Sequence, residues 1–147
     1  MSADVKKDIA GYLAGHNELH LATVAPDGRP MVHTVAFVSD GSVTWCFTGP
    51  GTRKVRNIKP NPAVAYSVCD AASDWRTLKA VQMEGNAVLV DDRAEKERIL
   101  GQFLKKFPPL AGMPLSLDAV AIFRIDPTTG YYLDYGVSFG FRAEAAY

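Results

Sequence analysis

The chain opens on a helical pattern. Val5, Ile9, Tyr12 and Leu13 fall on one face, Ser2 stands where a cap is needed, and Gly15 ends the run. Beyond it the period shortens to two. Residues 19–24 and 31–39 read as strands joined by the turn "PDGRP", and Asp40-Gly41 signals a hairpin. Residues 43–48 alternate, with Val43, Trp45 and Phe47 on one side and Thr44, Cys46 and Thr48 on the other. A glycine-rich loop, 49–51, precedes Thr52, which is placed to cap a short helix that Pro60 and Pro62 stop. Residues 63–69 and 77–90 predict two more strands, the second with a bulge at Gly85. Asp92 and Glu95 form a capping box ahead of a helix that carries Ile99, Leu100, Phe103, Leu104 and Phe107 on one face, ended by Pro108-Pro109. Residues 119–125 and 131–135 predict a final hairpin around "DPTTG".

About six or seven short strands follow one another through hairpin turns, with three helices between them. That order favours antiparallel pairing and barrel closure over a doubly wound parallel sheet. The expected fold is mainly β with peripheral helices, an antiparallel split β-barrel, as one domain over residues 1–147. The length suits a single core. Hydrophobic residues make up 48% and the formal net charge is zero, which argues against a globally basic nucleic-acid binder. The N-terminal residues lack the continuous apolar stretch of a signal peptide, and no apolar run reaches the roughly 20 residues of a membrane span. A cytoplasmic protein is expected. Cys46 and Cys69 lie in strand-like runs with no C-x-x-C, and read as buried free thiols.

Against this neutral background one stretch is charged. "TGPGTRKVRN", residues 48–57, sets glycines and a proline against cations, and no acidic residue occurs from Gly41 through Cys69. Glycines allow close backbone approach, Thr52 offers a hydroxyl, and Arg53 and Lys54 offer full charges suited to a phosphate. A solvated basic helix, buried along Val55 and Ile58, explains the same spacing. The P-loop pattern is absent. His16, His20 and His33 show no metal-ligand spacing, so no metal site is expected, and neither a nucleophile elbow nor a dinucleotide fingerprint occurs.

In its flanks the stretch is more specific. "LATVAPDGRPMVHTVAFV", "VTWCFTGPGTRKVRNIKPNPAVAYSV" and "VQMEGNAVLVDD", in that order and spacing, resemble the pyridoxamine-phosphate oxidase-like superfamily of FMN-binding split barrels, with a weaker echo in "IDPTTGYYLDY". The resemblance implies a homodimer with FMN in a groove between subunits. It places Arg53 and Lys54, with Thr52, on the flavin phosphate. It matches Phe47 and Thr48 to an aromatic-Thr pair, and His33, Thr34 and Val35 to a strand passing the flavin. Trp75, Arg76 and Tyr132 are candidates to face the ring or substrate, or are ordinary packing and surface residues. The chain also departs from the oxidase proper. His33 stands for an arginine, Ala80 for a flavin-contacting glutamine and Val38 for a substrate-binding lysine. A flavin-dependent oxidoreductase without pyridoxamine-phosphate oxidase activity is expected, acting on an unassigned small molecule with no identified catalytic residue. The alternatives are a deazaflavin-dependent reductase on the same fold, or a non-catalytic flavin- or haem-binding protein.

Overall fold

The computed structural model describes residues 2–147, with side chains from residue 4 onward. Helix α1 spans Ser2–Ala14, so the cap expected of the Ser2 side chain lies outside the described residues. Strands β1 (Glu18–Val24), β2 (Pro30–Asp40) and β3 (Val43–Thr48) form an antiparallel meander. Helix α2 (Arg53–Ile58) leads into β4 (Ala63–Cys69), which pairs with β1 and then with β5 (Lys79–Leu89). Helix α3 (Arg93–Lys106) precedes β6 (Ala121–Asp134) and β7 (Arg142–Ala146).

The strand order is β3-β2-β1-β4-β5-β6-β7, and β6 also pairs with β3. That extra pairing closes six strands into a barrel, and the expected split-barrel architecture is the one found. Leu19, Leu21, Phe37, Cys46, Val68, Val81, Met83, Phe123 and Ile125 fill its interior, and α1 covers one mouth with Ile9 and Leu13. A second apolar layer lies outside the barrel, where α3 packs Ile99 and Phe103 onto Val38, Trp45 and Ile122. β3 faces both layers, with Cys46 in the barrel interior and Trp45 and Phe47 in the layer under α3, which is why it reads as a strict alternation.

Three expectations need correction. The "DPTTG" segment is no hairpin turn. β6 continues through it: Pro127 pairs with Gly85 and Thr129 with Glu84, so that Thr128 is the extra residue of a bulge in β6 at the register shift. The hairpin partner of the last stretch is instead β7, a strand not anticipated from the sequence. Cys69 is exposed rather than buried, since it shares the outward parity of Ala65 and Ser67 while Val64, Tyr66 and Val68 point in. The capping box is half formed: Asp92 accepts from the Glu95 N–H at 2.9 Å, but the Glu95 carboxylate turns to Arg124 and the Trp45 indole. Among the described residues no helix is long and apolar enough to cross a membrane.

Candidate functional site

The basic segment sits where β3 ends and the barrel needs a lid. Thr48 hands the chain to a tight loop, in which Thr52 Oγ1 donates to the Gly49 carbonyl at 3.0 Å. Thr52 has the extended backbone of a cap residue, yet its side chain makes no capping bond. The hydroxyl tightens the loop instead. α2 then runs only six residues. It buries Val55, Asn57 and Ile58 and leaves Arg53, Arg56 and Lys59 exposed, with Lys54 half-buried.

None of these four cations enters an ion pair among the described residues. The ion pairs found join His16 to Asp70, Arg76 to Asp74, Arg93 to Glu97, and Arg124 to Glu95 and Asp126. The unpaired charge has a focus. His33 on β2 is held below the ordinary histidine range, first by burial and then by Lys54 and Arg53. Burial pushes the Cys46 thiol up, and Lys54 opposes that push. Lys54 therefore lies electrostatically close to both β2 and β3.

Beneath these charges is a polar contact that the sequence reading missed. Thr23 Oγ1 lies 2.8 Å from His33 Nε2, and Asn57 Nδ2 donates to the same oxygen at 3.0 Å. Thr23 and Asn57 are 1% and 3% exposed. One signal was available: Thr23 holds an inward register position in line with Leu19 and Leu21, where an apolar residue is expected. The helical spacing of Val55 and Ile58 likewise brackets Asn57 on the buried side.

The remaining candidates are dispersed. Thr34 lies on the outer sheet face, its hydroxyl 3.3 Å from His20 Nδ1, whereas Val35 is in the core. Phe47 packs edge-on against Phe103 under α3, with ring centroids 4.7 Å apart. Trp75 and Arg76 follow the far end of β4 from α2, and the seven residues of that strand span ~20 Å. Within one chain they do not meet Arg53 and Lys54. Arg76 is bound by Asp74, and Trp75 contacts Phe139. Tyr132 packs against the barrel core and meets the Tyr12 ring edge-on. Ala80 is buried, and Val38 belongs to the apolar layer under α3, so neither offers a polar contact there.

A cleft of about 390 Å³ opens on the outer sheet face, lined by His20, Ala22, Val32, Ser67, Gln82 and Tyr131 among others. Its size falls within the range of small-molecule and cofactor sites. Among the described residues no cluster of three or more His, Cys, Asp or Glu is placed to hold a metal ion.

The family model described as pyridoxamine 5'-phosphate oxidase matches residues 5–134. No curated protein matches the sequence. A solved structure named F420 reductase is 30% identical, covering 82% of this chain and 93% of its own, with a TM-score of 0.67. The General Stress Protein 26 from Bacillus anthracis str. Sterne is 22% identical over 87% of this chain and 92% of its own, with a TM-score of 0.67. A heme binding protein from Mycobacterium smegmatis is 15% identical and superposes with a TM-score of 0.77 over 99% of this chain, which spans 58% of that protein. The last two likenesses concern the fold.

Proposed function

The chain belongs to the pyridoxamine 5'-phosphate oxidase family, and from that premise we propose that it is an FMN-dependent oxidoreductase that grips the flavin phosphate with Arg53 and Lys54. The observation that carries this reading is the concentration of unpaired positive charge beside His33, at the end of a closed barrel. A dianionic phosphate would offset the mutual repulsion of these cations and accept charge-assisted hydrogen bonds from them. Thr48 and Thr52 line the adjoining loop with hydroxyls. On this reading the strand His33–Thr34–Val35 runs along the flavin.

A bound flavin supplies hydride and single-electron transfer. The chain's own part is to fix the phosphate, orient the ring and exclude water. The outer face is suited to the last task only if covered. Val32 is 65% exposed there. A second copy laid on this face would enclose the ring, so a homodimer is part of the proposal. Val38 and Ala80, standing where the oxidase proper uses lysine and glutamine, favour a substrate other than pyridoxamine phosphate.

The test is direct. The purified protein is expected to be yellow with flavin absorption bands, or to quench FMN fluorescence on titration. A colourless protein that leaves FMN fluorescence unchanged overturns the reading. It is further expected to elute at twice its 16.0 kDa chain mass.

One observation favours a second reading, a deazaflavin cofactor. The protein 30% identical to this chain is named for F420 reduction, and Arg56 and Lys59 supply two further exposed cations for a longer anionic tail. Competition between FMN and the deazaflavin for the apoprotein separates the two.

A further inference from the structure

We propose that Thr23 and Asn57 are positioning residues that fix His33 as a neutral imidazole carrying its proton on Nδ1, so that it serves the Arg53–Lys54 anion site as a hydrogen-bond donor without adding charge. The proposal rests on the anion-site reading for its last clause only.

The argument begins with the buried hydroxyl. Thr23 Oγ1 has one proton to give and two lone pairs to receive. Asn57 Nδ2 donates to it at 3.0 Å, which occupies one lone pair. Among the described residues its other side-chain partner is His33 Nε2 at 2.8 Å. A hydroxyl this deeply buried loses free energy if its proton finds no acceptor. Donation to Nε2 satisfies it, and Nε2 must then be bare. A neutral imidazole with a bare Nε2 carries its proton on Nδ1.

The charge state is set by the surroundings. A histidinium here would need Nε2–H as well, which would leave the Thr23 proton without its acceptor. It would also stand next to Lys54 and Arg53, which disfavour a third cation. His33 Nδ1 has no hydrogen-bond partner among the described residues and the side chain is half-buried, so in the proposal Nδ1–H is the donor left for an incoming anion. The donor, acceptor and charge requirements agree on one state of the ring. Asn57 reaches Thr23 from α2, the element that carries Arg53 and Lys54, so the contact also ties the cations to the histidine strand.

The closing experiment reads the tautomer before it reads any ligand. Long-range proton–nitrogen NMR of the uniformly nitrogen-15-labelled protein at pH 7.5, with His33 identified by its absence in His33→Gln, is expected to show a pyrrole-type Nδ1 and a pyridine-type Nε2. Thr23→Val should move His33 towards the Nε2–H form and weaken FMN binding roughly fivefold, as the loss of one ordinary hydrogen bond does. Thr23→Ser should restore both. An Nε2–H tautomer in the unaltered protein, or a His33 spectrum indifferent to Thr23→Val, overturns the proposal. If the unaltered protein binds no FMN, the cofactor reading fails, while the nitrogen spectra still decide for or against the fixed tautomer.

Discussion

Gly85 presses against the main-chain carbonyl of Asp126, so closely that a Cβ at position 85 would collide with the oxygen. The same Cβ would lie 3.1 Å from the Asp126 carbonyl carbon and 3.2 Å from Ile125 Cγ2. This close approach lies at the register shift between β5 and β6, and backbone rather than a flexible side chain stands in the way. Gly85→Ala is expected to destabilise the protein by about 2–3 kcal/mol through overpacking. Urea denaturation should show a lower midpoint at an unchanged slope. A midpoint equal to that of the unaltered protein would mean that the bulge yields freely.

Phe103 is the keystone of the outer layer. It is fully buried, meets Phe47 edge-on and stacks on Phe107 at 6.1 Å. Phe103→Ala should cost about 3–5 kcal/mol, because a large aromatic leaves a cavity that α3 cannot close. Leu104, expected on the apolar face of α3 but 37% exposed in the structure, provides the control. Leu104→Ala should stay within roughly 1 kcal/mol. Equal losses at the two positions would show that α3 does not pack as described.

The thiols should differ in reactivity. Cys46 is fully buried, and burial pushes its pKa well above the ordinary thiol range, so little thiolate forms. Cys69 is exposed at the end of β4. A chromogenic disulfide reagent is expected to titrate one thiol per chain in the native protein and both in urea. Fast reaction of both in the native state would contradict the packing of β3.

What the sequence made legible was what short-range pattern encodes. The alternation of Val43, Trp45 and Phe47 against Thr44 and Cys46 places β3 between two apolar layers, and both layers exist. Gly85 marked the register shift, although the extra residue, Thr128, belongs to β6. What stayed hidden depends on partners distant in the chain. Nothing near Pro127 tells it from a turn proline until Gly85 is seen opposite. β7 exists because the edge of β6 is open to it, a fact about β6 and not about "RAEAA". The candidate site divides the same way. Arg53 and Lys54 stand out by charge, whereas Thr23 and Asn57, separated by 34 positions, acquire meaning only when α2 is laid on β1.

Arg53→Ala with Lys54→Ala should weaken FMN binding by more than tenfold, since each charged contact to phosphate contributes ~1.5–3 kcal/mol. Folding stability should barely change, because neither side chain enters an ion pair among the described residues. Fluorescence titration and thermal melting on the same sample distinguish a lost contact from a lost fold. Unaltered affinity in the double variant would place the phosphate elsewhere.

His33 gives stability a pH dependence of definite sign. Its native pKa lies below the ordinary 6.5, through burial first and then Lys54 and Arg53. Above 6.5 the ring is neutral in both the folded and unfolded chain, and no penalty arises. As pH falls through 6.5 the unfolded chain takes up a proton that the native ring refuses, so the stability present above 6.5 is progressively lost. Below the native pKa both states are protonated and the loss levels off. The urea midpoint is therefore expected to drop as pH falls from 7.5 towards 5. His33→Gln removes this contribution, and the difference between the two curves isolates His33 from every other titrating group. That difference should narrow or reverse towards acid pH, with the variant the less sensitive of the two. Parallel curves across the range would mean that His33 gains or loses its proton equally in both states, and that the cations of α2 do not act on it.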